Sequence, residues 1–341
     1  MAKYGVILAN IGTPQSPETP DVRKYLKQFL MDKYVIDIPW PVRAGLVYGI
    51  IAPLRSKRSS KAYKKIWTDR GSPLLFHTQD YAKKLSQSLG EDFEVLVGMR
   101  YGQPSIDRAV EKLKACEKIV IFPQYPQYAE SSSRSSLEAF ARATSKGLLK
   151  EKTKSVPAFY SNATWLSSVE KNIGQVLDNH PIDHVLFSYH GLPERHLTKI
   201  DPQKNHCANY QKCCENPGES LKTCYRAQAH HTTQALARRL GLSKDKFSMS
   251  FQSRLGKQVW IPPYTDKVLP ELAQKGVKNL AVVCPSFVAD CLETLEEIAM
   301  EGRETFQEAG GGEFHYIPCS NSDDLWVQAG TELIQQALAT H

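Results

Sequence analysis

The feature best suited to chemistry is a pair of glutamates, Glu293 and Glu297, four residues apart. An apolar strand is expected at 280–283, and a helix that begins near Val288 is expected to carry both carboxylates. Four residues are about one helical turn, so the two carboxylates should lie on the same face. The same spacing is also typical of a solvated helix face, and the pair alone does not decide between these interpretations.

A histidine adds a second chemical group. His190 ends another apolar stretch at 186–190 and is followed by Gly-Leu-Pro. An imidazole at a strand end, facing a helix with two carboxylates, could bind a metal ion and accept protons. The alternative is a histidine whose hydrogen bonds are satisfied in the core.

The elements that would position these groups occur twice in the chain. Three segments of the first half have counterparts, in the same order, in the second half: 6–14 with 185–193, 93–102 with 247–256, and 119–125 with 280–286. Helical patterns lie between them, for example at 106–114 and 227–240. Alternating strands and helices predict an α/β fold with two parallel sheets flanked by helices. In such sheets, functional groups gather at the carboxyl ends of the strands.

The expected domains follow from this duplication. We expect one domain at 1–155 and a second at 156–341, the second including a C-terminal helix near 323–339. The boundary is placed in a polar, lysine-rich stretch at 146–162. A chain of this length can form two domains of ordinary size.

Composition and charge limit the functions that the chain could have. The 341 residues are 41% hydrophobic and 23% charged, which is typical of a soluble globular protein. Much of the formal net charge of +7 comes from residues 55–70, which follow an apolar stretch at 45–54. This combination could contact an anionic membrane or a ligand with carboxylates, and it is also typical of a solvated helix face. Basic and aromatic residues are not interleaved, so no nucleic-acid partner is expected.

The location of the protein is predicted from its apolar segments. No run of about 18 apolar residues occurs, so no segment is expected to span a bilayer. The first residues lead directly into a predicted strand without the pattern of a signal peptide. We therefore expect a cytoplasmic protein, with peripheral contact at the inner face of the membrane as an alternative.

Half of the cysteines are crowded into one segment. The four are Cys207, Cys213, Cys214 and Cys224, within an insert at about 201–226. In a cytosolic protein this clustering indicates a metal site more than disulfides, although the spacing does not specify the metal. The remaining four cysteines are expected to be small buried residues.

Eight motifs, taken in order, cover nearly the whole chain and resemble those of ferrochelatases, enzymes that insert ferrous iron into a porphyrin. They are Asn-Ile-Gly-Thr-Pro at 10–14, Trp-Thr-Asp-Arg-Gly-Ser-Pro-Leu at 67–74, Met-Arg-Tyr-Gly at 99–102, Phe-Pro-Gln-Tyr-Pro-Gln-Tyr at 122–128, Ser-Tyr-His-Gly-Leu-Pro at 188–193, Phe-Gln-Ser-Arg at 251–254, Trp-Ile-Pro-Pro at 260–263 and Phe-Val-Ala-Asp-Cys-Leu-Glu-Thr at 287–294. The resemblance implies two similar Rossmann-like domains with a porphyrin cleft between them.

The resemblance also implies roles for individual residues. His190 matches the family's active-site histidine, which binds the metal, accepts pyrrole protons, or does both. Glu293 matches the catalytic glutamate that faces it, and Glu297 the next acid on the same helix. Mitochondrial members have a histidine two residues before the catalytic glutamate, where this chain has Cys291.

The resemblance indicates the residues that contact the porphyrin less specifically than it indicates the catalytic residues. An apolar segment at about 30–54 is expected to form a lip for the ring, and cations and hydroxyls are expected to bind its propionates. The residues that match are Tyr34, Ile36, Arg55, Arg100, Tyr101, Tyr125 and Ser132.

The resemblance gives the cysteine segment an interpretation as well. Some bacterial ferrochelatases hold a [2Fe–2S] cluster with an internal group of cysteines like this one. Structural Zn²⁺ with four thiolate ligands is one alternative, and uncoordinated thiols or disulfides are another. No nucleotide cofactor is expected.

The expected function is therefore insertion of Fe²⁺ into protoporphyrin IX, with porphyrin and ferrous iron as the partners. Three alternatives remain open at this point: a ferrochelatase for coproporphyrin III, a chelatase for cobalt or sirohydrochlorin, and a non-catalytic haem-binding or iron–sulfur sensing protein. The sequence does not indicate an oligomeric partner.

Overall fold

The strands of the protein form two parallel sheets. The structure is a computed structural model that describes residues 2–145, 147–201, 213–254, 256 and 258–339. Within these residues, the first sheet has the strands β1 (Tyr4–Thr13), β2 (Phe93–Gly102), β3 (Lys118–Pro123) and β4 (Thr153–Ser155), in the order β2-β1-β3-β4. The second has β5 (His184–His190), β6 (Phe247–Gln252), β7 (Asn279–Val283) and β8 (Glu313–Ile317), in the order β6-β5-β7-β8.

Helices connect the strands. Those described are α1 (Thr19–Leu30), α2 (Trp40–Leu46), α3 (Ala52–Ile66), α4 (Pro73–Leu89), α5 (Ile106–Leu113), α6 (Ser135–Ala143), α7 (Ala163–Asn179), α8 (Glu194–Ile200), α9 (Tyr225–Arg239), α10 (Thr265–Gln274), α11 (Arg303–Glu308) and α12 (Asp324–Ala339). Three further segments are π-helical: Val47–Ile51, Glu130–Arg134 and Glu293–Gly302. Short 3₁₀ helices lie at Gly147–Lys152 and Gly218–Lys222. Among the described helices, none is long and apolar enough to cross a membrane.

The duplicated segments occupy equivalent places in the two sheets. β1 and β5 are central strands, each flanked by the next two strands in the chain. Residues 6–9 of β1 are fully buried, as are residues 186–189 of β5. Strands buried on both faces carry nearly continuous apolar runs, which is the pattern of parallel sheets covered by helices. The predicted α/β fold and the repeated strand order are confirmed.

The chain divides into two compact units, and the last helix belongs to the first of them. Unit 1 comprises Met1–Tyr125, Glu130–Ala158 and Asn321–His341, and unit 2 comprises Pro126–Ala129 and Phe159–Ser320. The C-terminal helix, which the sequence analysis assigns to the second domain, belongs to unit 1.

Aromatic packing explains why the last helix completes unit 1. Trp326 on α12 is fully buried and stacks on Tyr81 of α4 with 4.9 Å between ring centroids. It also packs against Phe122 of β3, at 5.7 Å. Gly330, one turn further along α12, lets the Tyr81 hydroxyl approach so closely that a Cβ atom would overlap it.

The helix that carries Glu293 and Glu297 begins later in the chain than predicted. Residues 288–289 form a bend, residues 290–291 have no regular secondary structure, and the π-helix Glu293–Gly302 follows. Asp290 is buried just after this bend, where its carboxylate accepts hydrogen bonds from the Thr294 hydroxyl at 3.2 Å, the Cys319 amide at 3.3 Å and the Tyr316 hydroxyl. These three hydrogen bonds hold Asp290, which was predicted to lie in the first turn of the helix.

Candidate active site

His190 is the last residue of β5, and two hydrogen bonds orient it. Its amide donates to the Ser286 hydroxyl at 3.0 Å, and its Nδ1 atom lies 2.6 Å from the Gly191 carbonyl oxygen. Since a carbonyl can only accept, Nδ1 carries the proton and Nε2 carries the lone pair. Burial lowers the pKa of His190 and the charge of Glu293 partly opposes this, so the neutral imidazole is favoured.

Glu293 is the first residue of the π-helix, and its charge acts on the pKa of the His190 imidazole. Its backbone carbonyl accepts a hydrogen bond from Nε2 of Gln252 at 2.8 Å. The thiol of Cys291 is buried and hydrogen-bonded to the Glu293 carboxylate, and burial and this carboxylate both raise its pKa well above the usual value. The thiol is therefore a neutral donor beside Glu293.

Glu297 accepts two hydrogen bonds from Ser253, the residue after β6. The Ser253 amide lies 2.6 Å from one carboxylate oxygen and its hydroxyl 2.5 Å from the other. The pKa of Glu297 is raised to about 7, mainly by burial; the charges of Glu293 and Glu301 add to the rise, and the two Ser253 bonds oppose it. A carboxyl group with such a pKa can give or take a proton near neutral pH.

The π-helical backbone changes how the two glutamates are presented. A π-helix closes i→i+5 hydrogen bonds, so one turn takes more residues than in an α-helix, and such segments are frequent at functional sites. Glu293 and Glu297 remain within electrostatic reach of each other. The structure therefore brings together the three residues that the sequence had proposed as catalytic, His190, Glu293 and Glu297, in unit 2.

A buried acid of unit 1 gathers three of the predicted porphyrin contacts. Asp32 forms an ion pair with Arg100, accepts from the Tyr101 hydroxyl at 2.8 Å, and accepts from the Tyr34 amide at 2.8 Å. The Ser135 hydroxyl donates to it at 2.6 Å. Burial alone would raise the pKa of Asp32, but these hydrogen bonds and the charge of Arg100 outweigh it and lower the pKa.

The other four predicted porphyrin contacts lie on different parts of unit 1. Ile36 is in the loop after α1, where its carbonyl accepts from Arg43 at 3.0 Å. Arg55 is on α3, and Ser132 is in the π-helix Glu130–Arg134. The Tyr125 hydroxyl is 3.3 Å from the Ser136 hydroxyl.

Four residues that take part in these hydrogen bonds are not singled out by the sequence analysis: Asp32, Ser135, Gln252 and Ser253. The motif at 251–254 marked the position of Gln252 and Ser253 without giving them a role. Asp32 and Ser135 are 103 residues apart, and their contact forms only in the folded chain.

Comparison with known proteins decides the family. A family model described as Ferrochelatase matches residues 3–338. The chain belongs to the ferrochelatase family. It is 44% identical to a ferrochelatase of Pseudomonas syringae pv. syringae (strain B728a), with 99% of each chain covered. It is 42% identical to that of Bdellovibrio bacteriovorus, covering 98% of this chain and 99% of the relative. A ferrochelatase of Coxiella burnetii (strain CbuG_Q212) is 44% identical, covering 98% of this chain and 94% of the relative.

Solved structures show the same type of fold at low sequence identity. SirB from Bacillus subtilis with Fe³⁺ has a TM-score of 0.50 and 11% identity, covering 79% of this chain and 92% of that one. CbiX, the terminal enzyme for biosynthesis of siroheme in denitrifying bacteria, has a TM-score of 0.50 and 12% identity, covering 99% and 100%. These similarities support the chelatase-like α/β fold.

An apolar surface lies on the predicted lip of this ferrochelatase-family chain. We define the apolar surface as the exposed side chains Trp40, Val42, Tyr48, Ile50 and Leu54. Trp40 is 64% exposed and Leu54 is 73% exposed. Basic side chains follow on α3, where Lys57, Arg58 and Lys61 are exposed. Exposed apolar side chains concentrated in one segment of the chain are candidates for a binding surface.

The cysteine segment is described only in part. Cys207 lies outside the described residues, whereas Cys213, Cys214 and Cys224 are buried in unit 2. The pKa of Cys214 is raised to about 12, mainly by burial; Cys213 and Cys224 contribute to the rise, and Arg226 opposes it, donating from Nη1 to Sγ at 2.9 Å. Cys213 and Cys224 are thus within electrostatic reach of Cys214. In the described part of the chain, no group of three or more His, Cys, Asp or Glu side chains is arranged to hold a metal ion.

Proposed function

We propose that this protein inserts ferrous iron into protoporphyrin IX, with release of two protons. The observation that carries this proposal is the group formed by His190, Glu293 and Glu297, in a chain that belongs to the ferrochelatase family. A neutral imidazole stands beside one carboxylate, and a second carboxyl group has a pKa of about 7. The donor set suits both a divalent metal ion and a proton acceptor.

The chemistry requires groups of these types. A porphyrin holds two N–H protons in the space that the iron must enter, so both protons have to leave as the dication arrives. The lone pair on Nε2 of His190 can accept a proton or bind Fe²⁺, and Glu293 can do the same. Glu297 can pass a proton onward, since it is half ionised near neutral pH. A pocket that binds the distorted ring more tightly than the flat one would lower the barrier further.

Unit 1 supplies groups of the kind that a porphyrin needs. The apolar surface offers side chains for the ring, and Arg100, fixed by Asp32, offers a cation for a propionate. Tyr34 and Tyr101 are held by the same carboxylate. Ile36, Arg55, Tyr125 and Ser132 complete the proposed set of contacts.

The cysteine segment is proposed to hold a [2Fe–2S] cluster, with structural Zn²⁺ as the alternative. Support comes from the donor set: Cys213, Cys214 and Cys224 are buried, Cys213 and Cys224 lie within electrostatic reach of Cys214, and thiolates are the ligands of both groups. Cys207 would be the fourth ligand. When bound, the group would tie residues 213–214 to the start of α9; metal insertion transfers no electrons, so no step is assigned to it.

Peripheral membrane contact is proposed for the apolar surface, in a protein that is otherwise cytoplasmic. The support is the exposure of Trp40 and Leu54 next to the basic side chains of α3, a combination that favours anionic lipid. Sedimentation with anionic vesicles at low salt tests it. The Leu54→Glu variant should sediment less than wild type, and a wild type that stays in the supernatant would rule out the contact.

Anaerobic turnover tests the function directly. The purified protein is mixed with protoporphyrin IX and Fe²⁺, and porphyrin fluorescence is followed for wild type and for Glu293→Gln. Catalytic loss of fluorescence in the wild type alone, with a haem spectrum appearing, is expected. Stoichiometric binding without metal insertion would contradict the proposal; repeating the assay with coproporphyrin III would then separate a different porphyrin substrate from a non-catalytic role.

A further inference from the structure

The carboxyl end of β6 is linked by hydrogen bonds to Glu293, to Glu297 and to Gly191, the residue after His190. The Gln252 carbonyl oxygen accepts from the Gly191 amide at 2.8 Å, directly after His190. The Gln252 side chain donates from Nε2 to the Glu293 carbonyl oxygen at 2.8 Å. Ser253 donates twice to the carboxylate of Glu297.

We propose that Gln252 and Ser253 are positioning residues for iron insertion, and that Ser253 orients the carboxylate of Glu297 through its amide and its hydroxyl. This proposal rests on the proposed function, in which His190, Glu293 and Glu297 act on the metal and the protons. Gln252 holds the backbone of Glu293 and of Gly191, the residue after His190, and Ser253 holds the carboxylate of Glu297. We call the two residues together the β6 clamp.

Buried partners hold the Gln252 side chain in place. Its Oε1 accepts from the Ser188 hydroxyl at 2.7 Å, and the Cys284 thiol lies 3.6 Å from the same atom. Ser188 in turn is 3.0 Å from the hydroxyl of Thr265. Since Oε1 is engaged by these donors, Nε2 is directed to the carbonyl of Glu293.

Close approach of the backbone supports the second link. A Cβ atom on Gly191 would lie 2.7 Å from the Gln252 carbonyl oxygen, which is too close for any other residue. Because residue 191 is a glycine, the Gln252 carbonyl at the end of β6 can accept a hydrogen bond from the backbone directly after His190.

Ser253 adopts an unusual backbone conformation to reach Glu297. Its φ is +65°, a left-handed value that is uncommon for residues other than glycine and costs energy. In this conformation the amide and the hydroxyl of one residue both point at the same carboxylate. Such strain persists where surrounding contacts impose it, and it is typical of functional positions.

The clamp opposes the effect of burial on Glu297. Burial and the charges of Glu293 and Glu301 favour the protonated carboxyl group, whereas the two donors of Ser253 favour the carboxylate. The Cys284 thiol, at the end of β7, is also within electrostatic reach of Glu297. Removing the hydroxyl should therefore make Glu297 harder to ionise.

The Ser253→Gly variant tests this with little disturbance of the backbone. Glycine accepts a φ of +65° and keeps the amide donor, so only the hydroxyl is lost. Asn321→Gly is the matched control, because Asn321 has a φ of +48° and belongs to unit 1. Titration of Glu297 in the ligand-free protein is followed by the infrared carboxyl band of ¹³C-labelled glutamate, assigned with Glu297→Gln.

The expected result is that the Glu297 midpoint moves to higher pH in Ser253→Gly and stays at the wild-type value in Asn321→Gly. An unchanged Glu297 midpoint in Ser253→Gly would reject the proposed role of Ser253. This conclusion would hold whether or not the protein converts porphyrin to haem. In the turnover assay, kcat near pH 6 should fall about ten-fold in Ser253→Gly, the effect of losing a hydrogen bond to a charged group, with little change in the KM for porphyrin. A raised midpoint in a protein that makes no haem would leave the hydrogen-bond assignment standing and reject the proposed function.

Discussion

Nδ1 of His190 and the carbonyl oxygen of Gly191 are 2.6 Å apart, and this contact determines which nitrogen of the imidazole can react. The proton on Nδ1 is committed to the backbone, so Nε2 is the atom that can bind a metal ion or accept a proton. The tautomer is set by the backbone carbonyl of Gly191, which follows β5, and not by an acidic side chain bound to Nδ1. His190 is thereby oriented before any substrate arrives.

Replacing His190 by alanine should abolish iron insertion while porphyrin binding stays near the wild-type level. The loss should be at least ~10²-fold, the usual contribution of a positioned acid–base group. Turnover is measured by the loss of porphyrin fluorescence, and binding by titrating the porphyrin absorption spectrum. His180→Ala is the control, because His180 is an exposed histidine of the same unit. If binding fell as far as turnover in His190→Ala, the assigned role would be wrong.

Acid should also inactivate the enzyme through His190. Burial lowers the pKa of this imidazole, so its neutral form predominates at neutral pH. Protonation at lower pH would remove the lone pair on Nε2, and kcat/KM should fall on the acid side. A profile of kcat/KM against pH that stays flat well below pH 6 would rule out a required neutral imidazole.

The stability of the protein should depend on pH through Glu297. Its pKa is raised from 4.5 to about 7 by burial, so between these values the folded protein keeps a proton that the unfolded chain releases. The free energy of unfolding should therefore decrease as pH rises through this range, relative to Glu297→Gln, which cannot titrate. Urea denaturation of both proteins at several pH values measures the difference. Parallel stability curves would show that the pKa is not raised.

Removing the charge of Asp32 should destabilise unit 1. The Asp32→Asn variant leaves the partly buried Arg100 without its partner carboxylate, and breaking a buried pair costs about 3 kcal/mol. Asp80→Asn is the matched control, since the Arg70–Asp80 pair is on the surface and such pairs contribute less than about 1 kcal/mol. Urea denaturation gives both values. Equal losses in the two variants would contradict the central position of Asp32.

Replacing Cys213 by serine should remove the visible colour of protein purified without oxygen, if the segment holds an iron–sulfur cluster. The control is Cys116→Ala, because Cys116 is buried in the apolar core of unit 1. Iron, zinc and sulfide are assayed in parallel. Colourless wild-type protein with zinc would favour the alternative, and wild-type protein without any metal would reject both.

The duplicated α/β fold and the placement of His190 at a strand end and of Glu293 on a helix could be predicted because their signals are local. An apolar run that ends at His190, and two glutamates four residues apart, are visible in short stretches of sequence. The duplication predicted equivalent strand positions, and parallel sheets then bring strand ends to one edge. These steps need only periodicity and topology.

Other features depend on contacts between distant residues. Asp32 looks like an ordinary surface acid until Arg100, Tyr101 and Ser135 converge on it. Two local conformations are also not visible in the sequence: the π-helical backbone of Glu293–Gly302 and the left-handed φ of Ser253. Residue types at those positions do not forecast such conformations.

The last helix affects the order in which the chain can fold during synthesis. Trp326, which fills the core of unit 1 against Tyr81 and Phe122, leaves the ribosome only after all of unit 2. Both segments of unit 2, Pro126–Ala129 and Phe159–Ser320, are translated before α12, so unit 2 can be completed first. Unit 1 must wait for its final helix with part of its apolar core uncovered. The N-terminal half is therefore translated first but completed last, and in that interval it would be the part most dependent on chaperones.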